Sequence, residues 1–336
     1  MAFFEALRAA ASRYAAGVHF LGRPAQGHAL DALTTRLGRA LPTEYREFLR
    51  SFDGATLFLE AQILFPADQV CVVPGTPDER PYLHIGETTD GALWLDGDGR
   101  VVLADENAPD PIVVGSGIEA FLDATLAREA LIVDRHGEFR DVFVGDDELD
   151  PSVRKKRAKT GQRHDPKAAL PWLEQGELAF EEEDSEAAQA ALQQAVLLDP
   201  LAGPAWGLLA VLYQGAAQLA GAEHAALQAA SATWHGPLRA SRLLQAARAC
   251  PSRATEHARA AWLADPPLSE RLLSEAQADL DAGDVAQARY LIEQLQLLVA
   301  SGSGRSADAG QLAQAQQGLA ALEKQVRVRG ALQVID

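Results

Sequence analysis

The spacing of apolar and polar residues predicts helices at the start of the chain. Residues 1–17 and 28–37 carry apolar side chains at helical spacing, and a third helix opens at residues 41–43, where Pro42 suits the first turn. Asp53-Gly54 should end this third helix, because glycine accepts the left-handed conformation of helix ends. Its core-facing side chains are expected to be Tyr45, Phe48, Leu49 and Phe52.

From residue 57 the pattern changes to short β-branched or aromatic runs separated by Pro, Gly and Asp. Between two such runs, DGDG at residues 96–99 predicts a hairpin turn. Helical spacing returns from Ile118 to Ala130, after a strand-to-helix connection that contains Ser116. Helices, then antiparallel strands, then a closing helix favour an α+β domain.

Residues 144–167 predict a linker, because they are polar and charged and show no sustained apolar period. Beyond them a repeat appears: Trp172 and Trp206 lie 34 residues apart, as do Ala195 and Ala229. Small alanines let two antiparallel helices approach closely, so we predict helical hairpins whose tryptophans, including Trp234 and Trp262, pack between helices. A flexible stretch at 301–310 and a capping helix at about 311–327 should close the array.

Charge is unevenly distributed along the chain, whose formal net charge is −17. Residues 1–150 carry 12 basic and 26 acidic side chains, residues 151–167 have a net charge of +6, and the remainder has −9. An acidic body repels phosphate backbones, so direct nucleic-acid binding is not expected. The basic run RKKRAK (154–159) could contact nucleic acid, but a solvated tether or an intramolecular electrostatic contact is the preferred interpretation.

Two distant cysteines, Cys71 and Cys250, do not suggest a disulfide framework, and we expect a cytoplasmic protein. The amphipathic N-terminus resembles an ordinary helix more than a signal peptide or mitochondrial presequence. No run of about 18 apolar residues predicts a membrane span.

The sequence contains no phosphate loop, no GxGxxG after a strand and no HExxH. We therefore predict no catalytic residue, no cofactor and no metal. His84 lies in an apolar strand and is better explained as a sheet residue than as a ligand. Asp96 and Asp98 begin a DxDG sequence like that of a calcium loop, but the strand-like RVVLADE after it favours a plain turn.

Acidic residues on the predicted sheet turns are the candidate partner-binding residues. They are Asp96, Asp98, Asp105, Glu106 and Asp110. One interpretation is a solvated surface that keeps the protein in solution. The other is an acidic patch that attracts a basic partner and raises the association rate.

The segment LPTEYREFLRSFDGA (41–55) resembles the characteristic helix and exit turn of the SUKH superfamily, with Asp53 in place of the more usual Asn. YLHIGETTDGALWLD (82–96) and DPIVVGSGIEAFLDATL (110–126) resemble its later strands and closing helix. The second half resembles tetratricopeptide repeats. These resemblances imply a SUKH-like α+β domain at 1–143, a charged linker at 144–167 and an all-α repeat domain with a terminal cap at 168–336.

Both resemblances imply binding rather than catalysis, since many bacterial SUKH proteins are immunity proteins that neutralise toxins, often nucleases. The preferred hypothesis is therefore a non-enzymatic immunity protein that occludes a basic toxin domain. The alternative is a scaffold or regulatory adaptor that uses the repeats and the SUKH-like domain for protein recognition. The sequence leaves the oligomeric state and the rigidity of domain docking open.

Overall fold

The computed structural model describes residues 2–73, 80–104, 110–144, 148–233, 235–302 and 306–332. The chain separates into two compact units, Met1–Leu208 and Leu209–Asp336. The first contains a sheet with four helices around it, followed by helical hairpins. Its early helices are α1 (Ala2–Ala11), α2 (Gly27–Leu37), α3 (Thr43–Ser51) and α4 (Ile118–Glu129). Its strands are β1 (Phe20–Leu21), β2 (Ala55–Leu57), β3 (Gln62–Leu64), β4 (Cys71–Val72), β5 (Leu83–Thr88), β6 (Gly91–Leu95), β7 (Val101–Ala104), β8 (Ile112–Gly115), β9 (Phe143–Val144) and β10 (Glu148–Leu149).

The main sheet is antiparallel, with the order β1-β2-β3-β5-β6-β7-β8 and β4 paired to β5. β9 and β10 form a separate two-stranded ribbon. The predicted hairpin at 96–99 is confirmed, since β6 and β7 pair on either side of it. Strand β8 stands at the end of the pairing order. The α+β prediction for the first part of the chain is therefore correct.

The aromatic face of α3 lies in the core, as predicted. Tyr45, Phe48, Leu49 and Phe52 are all buried. The Phe4 ring of α1 packs against two of them, with its centroid 6.1 Å from both the Phe48 and the Phe52 centroid. Burial of these large rings is the main stabilising contribution of this helix.

The turn between β2 and β3 is strained. Phe58, Leu59 and Glu60 have φ values of 51°, 56° and 75°, although none of them is glycine. The Phe58 N–H donates to His19 Nδ1 at 3.3 Å, and the Leu59 N–H donates to the Val18 carbonyl at 3.0 Å. Each left-handed residue costs about 1–2 kcal/mol, so the turn depends on these contacts to persist.

From residue 151 onward the part of the chain that the structure describes is helical, which confirms the all-α prediction. The helices are α5 (Pro151–His164), α6 (Leu170–Glu181), α7 (Ser185–Leu198), α8 (Gly203–Gly215), α9 (Leu219–Ala232), α10 (Gly236–Ala249), α11 (Ala254–Ala264), α12 (Leu268–Ala282), α13 (Val285–Ala300) and α14 (Ser306–Leu332). A 3₁₀ turn, Pro251–Arg253, precedes α11. Consecutive helices pack as pairs, with α6 on α7 and α12 on α13 among the closest.

Small residues allow the close helix crossings, as the repeat pattern predicted. In the α6–α7 pair, Ala188 and Ala195 are completely buried. A Cβ on Gly176 would lie 2.6 Å from Leu192 Cγ, so only glycine fits at this crossing. Burial of alanine faces, rather than large apolar side chains, therefore sets the distance between the two helices.

The segment expected to be a linker contains a helix. Asp150 caps α5 by accepting the Ser152 N–H at 2.8 Å, and Pro151 occupies the first turn. Ala158 is buried and Gly161 approaches Pro171 so closely that a Cβ would lie 2.7 Å from the proline Cγ. The apolar period was missing because α5 packs through two small residues and through charge pairs.

The second unit has its own core. Leucines and alanines of α10 to α14 form it, with Trp262 packed against it, as predicted for the repeat tryptophans. The last helix spans Ser306–Leu332 and is longer than the predicted 311–327, so residues 306–310 of the expected flexible stretch are helical. Trp234 lies outside the described residues. None of the described helices is both long and apolar enough to cross a membrane.

Candidate protein-binding surfaces

The five candidate acidic residues have different positions. Asp96 and Asp110 are buried, at 3% and 6% exposure, whereas Asp98 is exposed at the β6–β7 turn. Asp105 and Glu106 lie outside the described residues. Of the described three, Asp98 alone is exposed. A partner-binding role for the five residues stays a prediction.

Asp96 has a structural role in the hairpin. One carboxylate oxygen accepts the Asp98 and Arg100 backbone N–H groups, each at 2.9 Å, and the other accepts Arg100 Nε at 2.7 Å. These bonds satisfy the turn's amides and neutralise the buried charge. The DGDG sequence is thus an Asx-type turn, in agreement with the plain-turn interpretation.

Two aspartates of the repeats bind the sheet edge. Asp165 and Asp199 are 34 residues apart, and each stands directly after a helix, α5 or α7, and immediately before a proline. Asp165 Oδ2 accepts the Ser116 N–H at 2.6 Å, just after β8. Asp199 Oδ2 accepts the Val113 N–H of β8 at 2.9 Å.

Strand β8 is therefore closed on its outer side. The Val113 carbonyl also accepts the Ala169 N–H at 2.9 Å, so this residue makes both outward backbone bonds to the repeats. An open sheet edge is a template for pairing with another strand, and this contact removes it. Sequence reasoning missed the contact, although the Asp-Pro pairs at 165–166, 199–200 and 265–266 mark the recurring position.

Burial affects the chemistry of Asp199. It raises the pKa of this carboxyl, while the Val113 and Leu201 N–H groups and the more distant Arg100 oppose the rise. The carboxylate also accepts the Leu201 N–H at 3.0 Å and so shapes its own Asp-Pro turn. One side chain therefore caps a repeat and holds a strand.

Basic residues of the run 154–159 form ion pairs inside the first unit. Arg154 forms a two-bond pair with Glu181, at 2.8 and 2.9 Å, and Lys155 pairs with Glu182 at 3.1 Å. Arg157 donates to Glu129 of α4 at 2.6 Å. These pairs join α5 to α6 and to α4, in agreement with the expected intramolecular electrostatic contact.

Two of the repeat tryptophans, Trp172 and Trp206, bond to a turn that lies close to each of them in the sequence. Trp172 Nε1 donates to the Pro166 carbonyl at 3.4 Å, and Trp206 Nε1 donates to the Pro200 carbonyl at 3.0 Å. Each indole thus holds the Asp-Pro turn six residues before it. The helix-packing interpretation of Trp172 and Trp206 stays a prediction.

Exposed leucines recur at one position of the repeat. Leu197 and Leu263 each stand two residues before the Asp of an Asp-Pro pair, and their exposures are 73% and 67%. A single exposed leucine is ordinary, but the same repeat position in both units is a candidate contact for a partner. Neither leucine was predicted from the sequence, although the Asp-Pro spacing marks their position.

Comparison with known families and proteins adds no relative. No family model matches the chain, and no curated protein matches it significantly. The SUKH-like and tetratricopeptide-like resemblances therefore rest on the residues and helix pairs described above. Among the described residues, no group of three or more His, Cys, Asp or Glu side chains is placed to hold a metal ion.

Proposed function

We propose that the chain is a non-enzymatic protein-binding protein of the immunity class, whose acidic SUKH-like domain occludes a basic toxin domain. The LPTEYREFL helix and its buried aromatic face support the family resemblance. The excess of 26 acidic over 12 basic residues in 1–150 supports a basic partner. Exposed Asp98 is the described candidate residue best placed to meet it.

The closed β8 edge is the observation that carries this proposal. Asp165 and Asp199 fix the first repeats to the sheet, both within the unit Met1–Leu208. A binder whose parts are already fixed loses less conformational entropy on association than one with a free linker. A partner can therefore contact the sheet turns and the neighbouring repeat together.

A protection assay tests this function. The proposal expects the adjacent gene to encode the toxin. Cells that express the product of that gene should survive when the full chain is co-expressed, and die without it. Asp98→Asn should weaken protection slightly and Asp98→Lys more strongly, because they remove and then reverse one charge. Equal death with and without the full chain would reject the immunity proposal.

Adaptor function is the second candidate, and the recurrent exposed leucines favour it. A scaffold would use Leu197 and Leu263 to bind several unrelated, non-toxic proteins through its repeats. Leu263→Asp should then remove those partners while leaving toxin binding unchanged. Quantitative affinity purification of wild type and variant separates the two functions.

A further inference from the structure

A cavity in the first unit combines apolar walls with polar side chains. Its volume is about 610 Å³, which is enough for a small molecule or one long side chain. The sheet and α4 form two of its walls, where Leu93, Leu103 and Phe121 supply apolar surface. The turn between β5 and β6 adds the polar side chains of residues 88–90. The cavity therefore suits an occupant with an apolar part and a polar end.

One negative charge in the cavity lining is uncompensated. Arg157 pairs with Glu129 at 2.6 Å, and Arg128 pairs with Glu174 of α6. Asp90 also lines the cavity and is exposed, and within the described part of the chain its carboxylate has neither an ion pair nor a hydrogen bond. A cation that enters beside Asp90 therefore gains a partner, whereas an anion meets a like charge.

Backbone hydrogen bonds order the turn that carries Asp90. The Asp90 N–H donates to Thr88 Oγ1 at 3.0 Å. The Thr89 N–H donates to the carbonyl of Ala61, another residue of the cavity lining, at 3.2 Å. Because the turn is already fixed on both sides, a cation that binds Asp90 orders little of the chain, which lowers the entropic cost of binding.

Exposed apolar side chains stand beside the cavity. Phe139 is 73% exposed, and its ring lies edge-on to Phe143, with centroids 5.5 Å apart. Both rings line the cavity. Leu59, 56% exposed, belongs to the strained turn that precedes Ala61, and a Cβ on Gly137 would lie 3.1 Å from Leu59 Cδ1. A free small cation leaves these apolar side chains in water, whereas a protein partner can cover them.

Arginine is the cationic side chain that matches this combination best. Its guanidinium group stacks on aromatic rings, forms two parallel bonds to a carboxylate and is less strongly hydrated than the ammonium group of lysine. Its methylene groups can lie against apolar walls while the charged end stays near solvent. Both Asp90 and the Phe139–Phe143 pair border the same cavity.

We propose that this cavity binds an arginine side chain of a basic protein partner. The guanidinium group pairs with Asp90 and contacts the Phe139 ring, and the methylene groups lie between the sheet and α4. The nature of the partner rests on the proposed function, in which the acidic SUKH-like domain meets a basic toxin domain. The inference adds the residue type that the partner contributes and the place that receives it.

Titration of the isotope-labelled full chain with small probes, followed by NMR, tests the site without any partner protein. The probes are Nα-acetyl-arginine methylamide, the corresponding citrulline derivative, which is uncharged and nearly the same shape, and the corresponding lysine derivative. We expect the arginine derivative to bind at least about fivefold more tightly than the citrulline derivative, and to shift the amide signals of residues 88–90 and Phe139. Equal affinities for these two probes, or tighter binding of the lysine derivative, would overturn the proposal.

A matched pair of aspartate variants locates the charge. Asp68 is exposed like Asp90 but does not line the cavity. Asp90→Asn should reduce the preference for arginine over citrulline to less than about twofold, while Asp68→Asn leaves it at about fivefold or more. Equal preferences in the two variants would show that Asp90 does not select the cation.

A variant of the exposed ring tests the aromatic contact. Phe139→Ala should weaken binding of the arginine derivative about threefold and change binding of the citrulline derivative less, because only the cation is attracted by the face of the ring. Unchanged affinity for the arginine derivative would remove Phe139 from the site.

Binding of the protein encoded by the adjacent gene separates this inference from the proposed function. If that protein binds wild type, Asp90→Asn should lower its affinity about tenfold and Asp68→Asn by less than about twofold. Equally tight binding to Asp90→Asn would overturn the arginine site and leave the proposed function intact. No binding to wild type would reject the proposed function, and the probe titration would still decide whether the cavity selects arginine.

Discussion

Replacement of Asp199 by alanine should open the β8 edge of the sheet. The substitution removes the acceptor of the Val113 N–H, a bond of 2.9 Å between two buried residues, and the acceptor of the Leu201 N–H. An orphaned buried donor costs about 1–3 kcal/mol, and loss of an ordinary turn bond about 1 kcal/mol. Burial of the Asp199 carboxylate is itself unfavourable, as its raised pKa indicates. Removal of this buried charge therefore reduces the total loss of stability. We expect a net loss of about 2 kcal/mol in local stability.

Hydrogen exchange is the suitable measurement, because a chain with two compact units need not unfold in one step. The Val113 amide should exchange about 30-fold faster in Asp199→Ala than in wild type, as about 2 kcal/mol implies. Asp98→Ala is the control, since it removes an exposed carboxylate from the same unit without touching β8. A change below about threefold at Val113, or an equal change in the control, would refute the reasoning.

Three further predictions concern titration and packing. Burial, with neighbouring glutamates, raises the pKa of Glu177 to about 7, so its contribution to stability is lost as pH rises from about 4.5 through 7. In urea melts, the free energy of unfolding of Glu177→Gln relative to that of wild type should increase over that pH interval. A difference that does not change with pH would contradict this. Burial lowers the pKa of His19 from 6.5 to about 4, so stability falls as pH drops between those values. His19→Asn, which keeps an acceptor for Phe58, should flatten that slope in acid titrations, and an unchanged slope would count against it. Gly176→Ala should lower the stability of the first unit by about 1–3 kcal/mol despite its better helix propensity. Gly27→Ala, at the start of α2 in the same unit, is the control. Its Cβ meets nothing within 4 Å, so it should be neutral or stabilising in the same melts, and equal losses would disprove the packing argument.

Patterns that a single segment contains were predictable. The α3 helix follows from its aromatic spacing, and the hairpin follows from DGDG, because local geometry decides both. The helical hairpins follow from alanines and tryptophans at 34-residue spacing. In each case the residues that carry the signal also make the contacts.

Features that depend on distant partners were not predictable in the same way. Helix α5 has no apolar stripe, since its basic side chains find glutamates on α4 and α6. Asp96 was expected on the surface, but its side chain is buried and accepts two backbone N–H groups of its own turn. The strained turn at Phe58 contains no glycine that would have indicated positive φ values there.

The affinity of the full chain for the protein encoded by the adjacent gene, which the proposal expects to contain a basic toxin domain, tests the proposed function most directly. Isothermal titration calorimetry should give one-to-one binding with a Kd in the nanomolar range, about −12 kcal/mol. Affinity should fall as NaCl rises from about 0.05 to 0.5 M, because an acidic surface meets a basic one. No binding at micromolar concentrations, or an affinity independent of salt, would contradict the account.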